Sequence, residues 1–424
     1  MRNYIIKRIL LIIPTLVAVS LVVFVLSKYV PNDQVVALLN LKGIHTDLDE
    51  AKDEEYAKAY LELGLDKPNF YLSLSPNYYP RNLNSLAYGD AKELFRDLLK
   101  RSYDTQDIKA VITQLRENKT PISTFNFELK RNESQAISHL LGKKLKKHKY
   151  YYPKFSWYGL DNQYHHWIKS FFTSGFGISI TDGKQSFSKV FNALKWTLSI
   201  TIVDLMLSIF LAIFIGKTMI KFEHKKWSKY LNQVLYFIYA IPIFWFATIM
   251  VVYFTTDDYG SWTNIFPSVG INVFPGKSIT EQIALNWTKL ILPILCLTFH
   301  SLAYSTRFLK RSISDELNKD YVAMAFAKGL TRNEVIDRHV FRNALIAFIT
   351  VFVGATVAAF SGSLVIEVIF NIPGIGRLLF NSISSGDWNV IFCIVMVLAL
   401  ITTVVYLLGD ILYAFFNPKL RFNI

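Results

Sequence analysis

The chain has 424 residues, of which 52% are hydrophobic, and a formal net charge of +14. Its apolar residues are gathered into long runs, which excludes an ordinary set of water-soluble domains. The surplus cations lie beside those runs, where a bilayer surface and the aqueous phase account for them, so no nucleic-acid partner is called for.

The first run, Ile9–Val30, is longer than the apolar core of a signal peptide, and the YVPNDQ that follows offers no small-residue cleavage site. Residues 1–30 therefore read as a retained transmembrane helix. A polar segment, 31–190, comes next with helical patterns of its own: Asp49–Leu65, Gly89–Leu115 and Asn132–Lys149. In the second of these, Leu94, Leu98, Ile108, Val111, Ile112 and Leu115 are candidate core positions. The basic run Gly142–Lys149 reads as a solvated helix face. Together these patterns predict an α-rich domain outside the membrane.

The five-helix portion, 191–416, holds further runs at Trp196–Gly216, Leu231–Thr255, Ala344–Ile369 and Val390–Phe416. A weaker one, Leu290–Leu309, is interrupted by His300 and Arg307. Each approaches or exceeds the roughly 20 residues a helix needs to cross a bilayer. Six spans place both termini, including the tail 417–424, on one side. Lys and Arg crowd that side: Arg2, Lys7 and Arg8, then Lys217 to Lys229, then eight positions in 307–343, then Lys419 and Arg421. The alternate short loops are sparse, with Lys277 and Arg377 among their cations. This bias predicts cytoplasmic termini.

Within the spans, Pro242 should kink the third helix beside Trp245. Gly354, Ala358 and Gly362 form a small-residue stripe that lets another helix approach, either at a subunit interface or within the chain. Asp204 and Glu367 are ionisable residues inside spans and so are candidate functional positions; Asp204 needs a hydroxyl, a water or a cation as partner. His300 reads as a packed residue. Cys296 and Cys393 both fall inside spans and form neither a disulfide framework nor a metal cluster. The chain lacks HExxH, GxSxG and CxxC, and the Gly270–Ser278 segment GINVFPGKS has the wrong glycine spacing for a phosphate loop. No catalytic residue, metal site or cofactor of its own is expected.

The segment Asp320–Ala344, DYVAMAFAKGLTRNEVIDRHVFRNA, is a charged helix–turn–helix between two spans. Gly329 suits the left-handed residue beyond a helix end, with Leu330 folding back on Met324 or Ala325. Thr331 and Glu334 have capping-box spacing for the next helix. An ordinary surface hairpin and a docking surface are both compatible with these residues.

Several stretches together carry a family resemblance: Tyr4–Asp33, Gly64–Pro68 (GLDKP), Ile241–Trp245 (IPIFW), Asp320–Gly329, Arg338–Leu345 (RHVFRNAL), Pro373–Leu378 (PGIGRL) and Gly409–Arg421. In order and topology they resemble the oligopeptide/dipeptide-type permease of bacterial binding-protein-dependent ATP-binding-cassette importers, the first (B-type) of its two permeases. The resemblance implies an all-α polytopic membrane protein of the inner membrane, with six transmembrane helices, a type I importer core and an α-rich extracytoplasmic insertion at about 73–162 that has no family counterpart. It implies a transport role for peptides, or for nickel or another small solute, with no catalysis. It implies four kinds of partner: a second permease subunit, two ATPase subunits that bind ATP and Mg, an extracytoplasmic solute-binding protein and the bilayer. It also implies a coupling loop, 307–343, in which Asp320, Tyr321, Ala325, Ala327, Lys328, Gly329 and Leu330 make or shape the ATPase contact and Arg338, Arg342 and Asn343 support it. The Leu-Pro pair that ends the broader importer motif is absent. From another class, a membrane sensor with an outer ligand domain fits the same layout.

Overall fold

The computed structural model describes residues 2–29, 34–44, 49–76, 80, 84, 90–101, 103–117, 125, 153–173, 175–260 and 262–416. Two compact units emerge, Met1–Val23 with Lys184–Ile424, and Phe24–Gly183.

In the second unit, the end of α1 (Arg2–Ser27) is followed by α2 (Gln34–Leu41), α3 (Asp49–Glu62), β1 (Leu72–Pro76), α4 (Asp90–Lys100), α5 (Thr105–Glu117), β2 (Pro153–Trp157) and α6 (Gln163–Thr173). The pattern over Gly89–Leu115 predicts one helix, but the chain breaks at 101–104 and forms two, which lets both apolar faces meet. Leu94, Leu98, Ile108 and Val111 are fully buried there, and Ile112 and Leu115 nearly so. The predicted helix Asn132–Lys149, with its basic run, lies outside the described residues.

The unit is not wholly α. β1 and β2 pair antiparallel, Leu72 opposite Trp157 and Pro76 opposite Pro153. The chain thus leaves at Pro76 and returns at Pro153 to the same place. The GLDKP stretch is a turn pinned from a distance. Gly64 has φ +65°, and the Gln163 side-chain amide donates to the carbonyls of Leu65 (2.9 Å) and Lys67 (2.6 Å).

The first unit contains the remaining spans: α7 (Ser186–Lys221), the pair α8 (Lys226–Ala240) and α9 (Ile243–Phe254), then α10 (Ile279–Leu285) and α11 (Trp287–Leu317). After them come α12 (Asp320–Ala327), α13 (Arg332–Val335), a π-turn at Ile336–Val340, α14 (Phe341–Ile369), α15 (Ile375–Ser385) and α16 (Trp388–Phe416). Among the described residues, five helices are long and apolar enough to cross a membrane, or six if α8 and α9 form one broken span.

The kink predicted at Pro242 is a full break, with α8 and α9 meeting at 92°. Proline removes a backbone donor, and Pro242 sits in extended conformation just before α9. Beyond it, Ile243, Phe246 and Met250 pack on a core that includes Trp196, Leu292, Cys296 and Ile366. Trp245 points away and is half exposed.

Asp204 on α7 is buried and accepts a hydrogen bond from the Ser301 hydroxyl on α11 at 3.1 Å. Its neighbours along the same face, Thr197, Thr201 and Ser208, are buried too. Such interhelical hydroxyl contacts in lipid contribute about 0.6 kcal/mol each. At the far end, Arg8 on α1 pairs with Asp410 on α16 at 3.2 Å, the arrangement expected of charges within spans. His300 stacks on Tyr239, with ring centroids 5.8 Å apart, and both cysteines are buried and free.

Glu367 has a structural role. Its carboxylate is fully buried and accepts from the Thr197 hydroxyl (2.7 Å) and from the backbone N–H groups of Gly376 (2.6 Å) and Arg377 (3.2 Å). It therefore caps the start of α15, satisfying amides that the helix itself leaves unpaired. The Thr197 hydroxyl in turn accepts from the Ile375 N–H at 2.8 Å. The glycines of the PGIGRL stretch make room for this. A Cβ on Gly374 would strike the Glu367 carboxylate, and one on Gly376 would strike the Leu364 backbone.

Of the small-residue stripe, Gly354 is described. A Cβ on Gly354 would meet nothing within 4 Å, whereas one on Gly409 of α16 would collide with Val353. The close α14–α16 approach within the chain thus uses Gly409 and leaves Gly354 open. The side chains at positions 358 and 362 lie outside the described set. We expect Gly376→Ala to lower the thermal midpoint of the detergent-solubilised protein by several degrees, since overpacking costs about 1–3 kcal/mol. Gly354→Ala should leave the midpoint unchanged or raise it, and differential scanning fluorimetry distinguishes the two.

Candidate docking surface

The charged loop is folded as its capping residues dictate. α12 ends with Lys328 as its cap, and Gly329 follows at φ +81°. A side chain at Gly329 would meet nothing within 4 Å, so the demand for glycine there comes from the backbone alone. Thr331 then caps α13. The Glu334 N–H donates to the Thr331 hydroxyl at 3.4 Å, and the Thr331 N–H donates to the Glu334 carboxylate at 2.9 Å. The π-turn carries the chain from α13 into α14 without a loop.

One face of this assembly is buried. Val322 and Ala325 of α12, Val335, Ile336 and Val340 beyond it, and Ala344 and Phe348 of α14 close around Ile220 of α7 and Leu309 and Ile313 of α11. Leu330 is half buried against the same cluster. Ala325, expected to make or shape a contact, is buried in its own chain.

The opposite face is open. Met324 is 64% and Phe326 44% exposed, and Ala323, Ala327, Lys328 and Gly329 are exposed beside them. Phe326 stays on the outer side although it is adjacent to the buried Ala325 and four residues from the buried Val322. Asp320 is exposed in the first turn of α12, where a carboxylate complements the helix dipole. The Tyr321 hydroxyl donates to Glu316 at 2.7 Å and lies within hydrogen-bonding reach of Asn343. Arg338 and Arg342 are exposed.

Ion pairs that the sequence did not reveal tie the loop to α7. Lys217 and Lys221 both reach Asp337 in the π-turn, at 2.8 and 2.7 Å. Glu223 pairs with Arg332 at 3.0 Å. One carboxylate facing two lysines one helical turn apart makes a small network, which holds better than an isolated surface pair. The only advance sign was the crowding of lysines at the end of α7, and that density reads equally as membrane-side bias.

Residues 208–422 match the family model described as the inner membrane component of binding-protein-dependent transport systems, and the chain belongs to that family. Among similar proteins is the peptidoglycan transport system permease protein YejB of Agrobacterium fabrum, 36% identical over 188 residues; the alignment covers 44% of this chain and only 51% of that protein. The oligopeptide transport system permease protein AppB of Bacillus subtilis is 32% identical over 272 residues, which covers 62% of this chain and 83% of that one. The metal-staphylopine import system permease protein CntB of Staphylococcus aureus is 29% identical, covering 61% and 77%.

Asp337→Asn should weaken the hold of α7 on the π-turn by about 1 kcal/mol. Amide hydrogen exchange over 332–340 should then speed up several-fold, while the core amides of α11 keep their protection.

Proposed function

We propose that this chain is a permease subunit of an ATP-binding-cassette importer, forming with a second permease the membrane path for peptides or chemically related solutes. The observation that carries this reading is the rigid, partly apolar surface of α12, standing exposed on a core that joins the ends of three spanning helices. Such a surface suits a partner that pushes or pulls on the helices as a body. In this reading Met324, Phe326, Ala327, Lys328 and Gly329 contact an ATPase subunit, Val322 and Ala325 fix the helix beneath them, and Arg338 and Arg342 border the contact. ATP and Mg are bound by two partner ATPases, and closure of those partners switches the permease pair between two states.

The remaining assignments follow from the same picture. The cation-rich side carrying the loop faces the cytoplasm. The open Gly354 face of α14 suits close approach of the second permease. An extracytoplasmic solute-binding protein delivers cargo, and the unit holding β1 and β2 lies on its side. Carriage of a small metal chelate is a second reading, favoured by the similarity to CntB; peptides are preferred because AppB, at slightly higher identity, covers more of its own length.

Gly329→Val penalises the left-handed turn by about 1–2 kcal/mol with no steric clash. Uptake driven by ATP should be lost while membrane insertion persists. Met324→Asp should abolish retention of the Walker-containing subunits during purification without unfolding the permease, since Met324 supports no core. Wild-type uptake in both variants would overturn the docking assignment.

A further inference from the structure

A second cluster of charge lies between α8 and α11 and takes no part in the surface above. It lines a cavity of about 530 Å³ whose walls include Asn232, Tyr236, Tyr239, Tyr304, Arg307 and Lys310. The Arg307 guanidinium lies over aromatic rings, its Cζ 3.7 Å from the Tyr236 centroid and 5.1 Å from that of Tyr239. Tyr239 is itself steadied by Tyr304, with centroids 6.1 Å apart. Arg307 is thus half-buried and held in place by ring contacts at the cavity wall.

The guanidinium has no acid to meet. Among the described residues no carboxylate forms an ion pair with Arg307, and its buried Nε has no hydrogen-bond partner. The two acids on the cavity wall have other partners, Glu223 being paired with Arg332 at 3.0 Å and Asp315 with Arg311, a third cation of the same wall, at 3.9 Å. Lys310 reaches only a neutral acceptor, the Asn232 side chain at 3.4 Å. Arg307 and Lys310 therefore leave two positive charges uncompensated in one hollow, and an oxyanion is the complementary ligand.

Depth selects which oxyanion. From Trp287, at the start of α11, to Arg307 the helix rises about 30 Å, the thickness of a bilayer's hydrocarbon core. The cavity therefore sits at headgroup level on the cation-rich side, with tyrosines at its rim as at other membrane interfaces. Beside it α8 turns Phe237 outward, 70% exposed, which offers apolar surface to an acyl chain.

We infer that this cavity binds the phosphate of an anionic phospholipid, with Arg307 as the bidentate donor and Lys310 as the second cation. Basic pockets between membrane helices on this side are suited to that chemistry. The inference rests on the membrane architecture and not on the identity of the transported solute.

Native mass spectrometry of the purified full-length chain, titrated with phosphatidylglycerol and with phosphatidylcholine of the same acyl chains, tests it. The wild type should retain phosphatidylglycerol preferentially. Arg307→Gln should reduce that retention about five-fold, and Lys226→Gln, an exposed cation on the same side but outside the cavity wall, should not. If Arg307→Gln fails to reach the membrane, Lys310→Gln reads the same site. Equal retention in wild type and site variants would overturn the inference. So would displacement of the lipid by millimolar inorganic phosphate alone, which would mark a site for small anions. Displacement by a peptide with a free C-terminal carboxylate, but not by its amide, would place the cavity on the transport path and likewise overturn the lipid assignment.

Discussion

A carboxylate buried among helices must find donors that water cannot supply, and Glu367 finds them in the first amides of α15. That single constraint fixes much around it. Thr197 must lie close enough both to donate to the acid and to accept from Ile375, which sets α7 against the turn between α14 and α15. Positions 374 and 376 must lack side chains, or the turn could not close over the carboxylate. Asn371, at φ +55°, supplies the reversal, and its carbonyl accepts from Arg377 at 3.2 Å. An acid that looks like a functional group by its membrane position is here the fastening for three helices.

The parts that were legible in the sequence are those governed by local chemistry. Long apolar runs mark the spans, because a bilayer demands length and apolarity from each helix on its own. Gly329 and the Thr331–Glu334 pair mark a helix end and a helix start, since both signals act within four residues. What stayed hidden depends on partners far along the chain. The strands at 72–76 and 153–157 recognise each other across a long intervening segment; Leu72–Pro76 does alternate Leu with Ser, but five residues are too few to announce a distant partner. Lys217, Lys221 and Asp337 were each visible, but nothing local says that they meet. Pro242 announced a bend, whereas its size came from the packing of α9 on Trp196, Cys296 and Ile366. Within the chain, close helix approach depends on Gly409, whose neighbour Val353 lies far back in the sequence, and Gly354 stands open.

The loop and the spans beneath it behave as one piece. Val322 and Ala325 share a core with the ends of α7, α11 and α14, and the α13–α14 junction is a continuous helix with a π-turn rather than a hinge. Lys217 and Lys221 add an electrostatic strap on the outside of that core. Displacement of α12 by a partner would therefore be passed to three spanning helices at once, without first being absorbed by slack in a connecting segment.

The strand pair that closes at Pro76 and Pro153 has a consequence for how this chain tolerates change. Once the two ends are held side by side, the span of sequence between them is a closed excursion, and doubling its length adds only about 0.6 kcal/mol of closure entropy. Length can be gained or lost between those prolines at little entropic cost, provided the bonds that Asn84 and Lys92 make to Lys67 and Tyr60 outside the excursion are kept. Variation in length is in that way concentrated at one place in the chain, between two anchored ends.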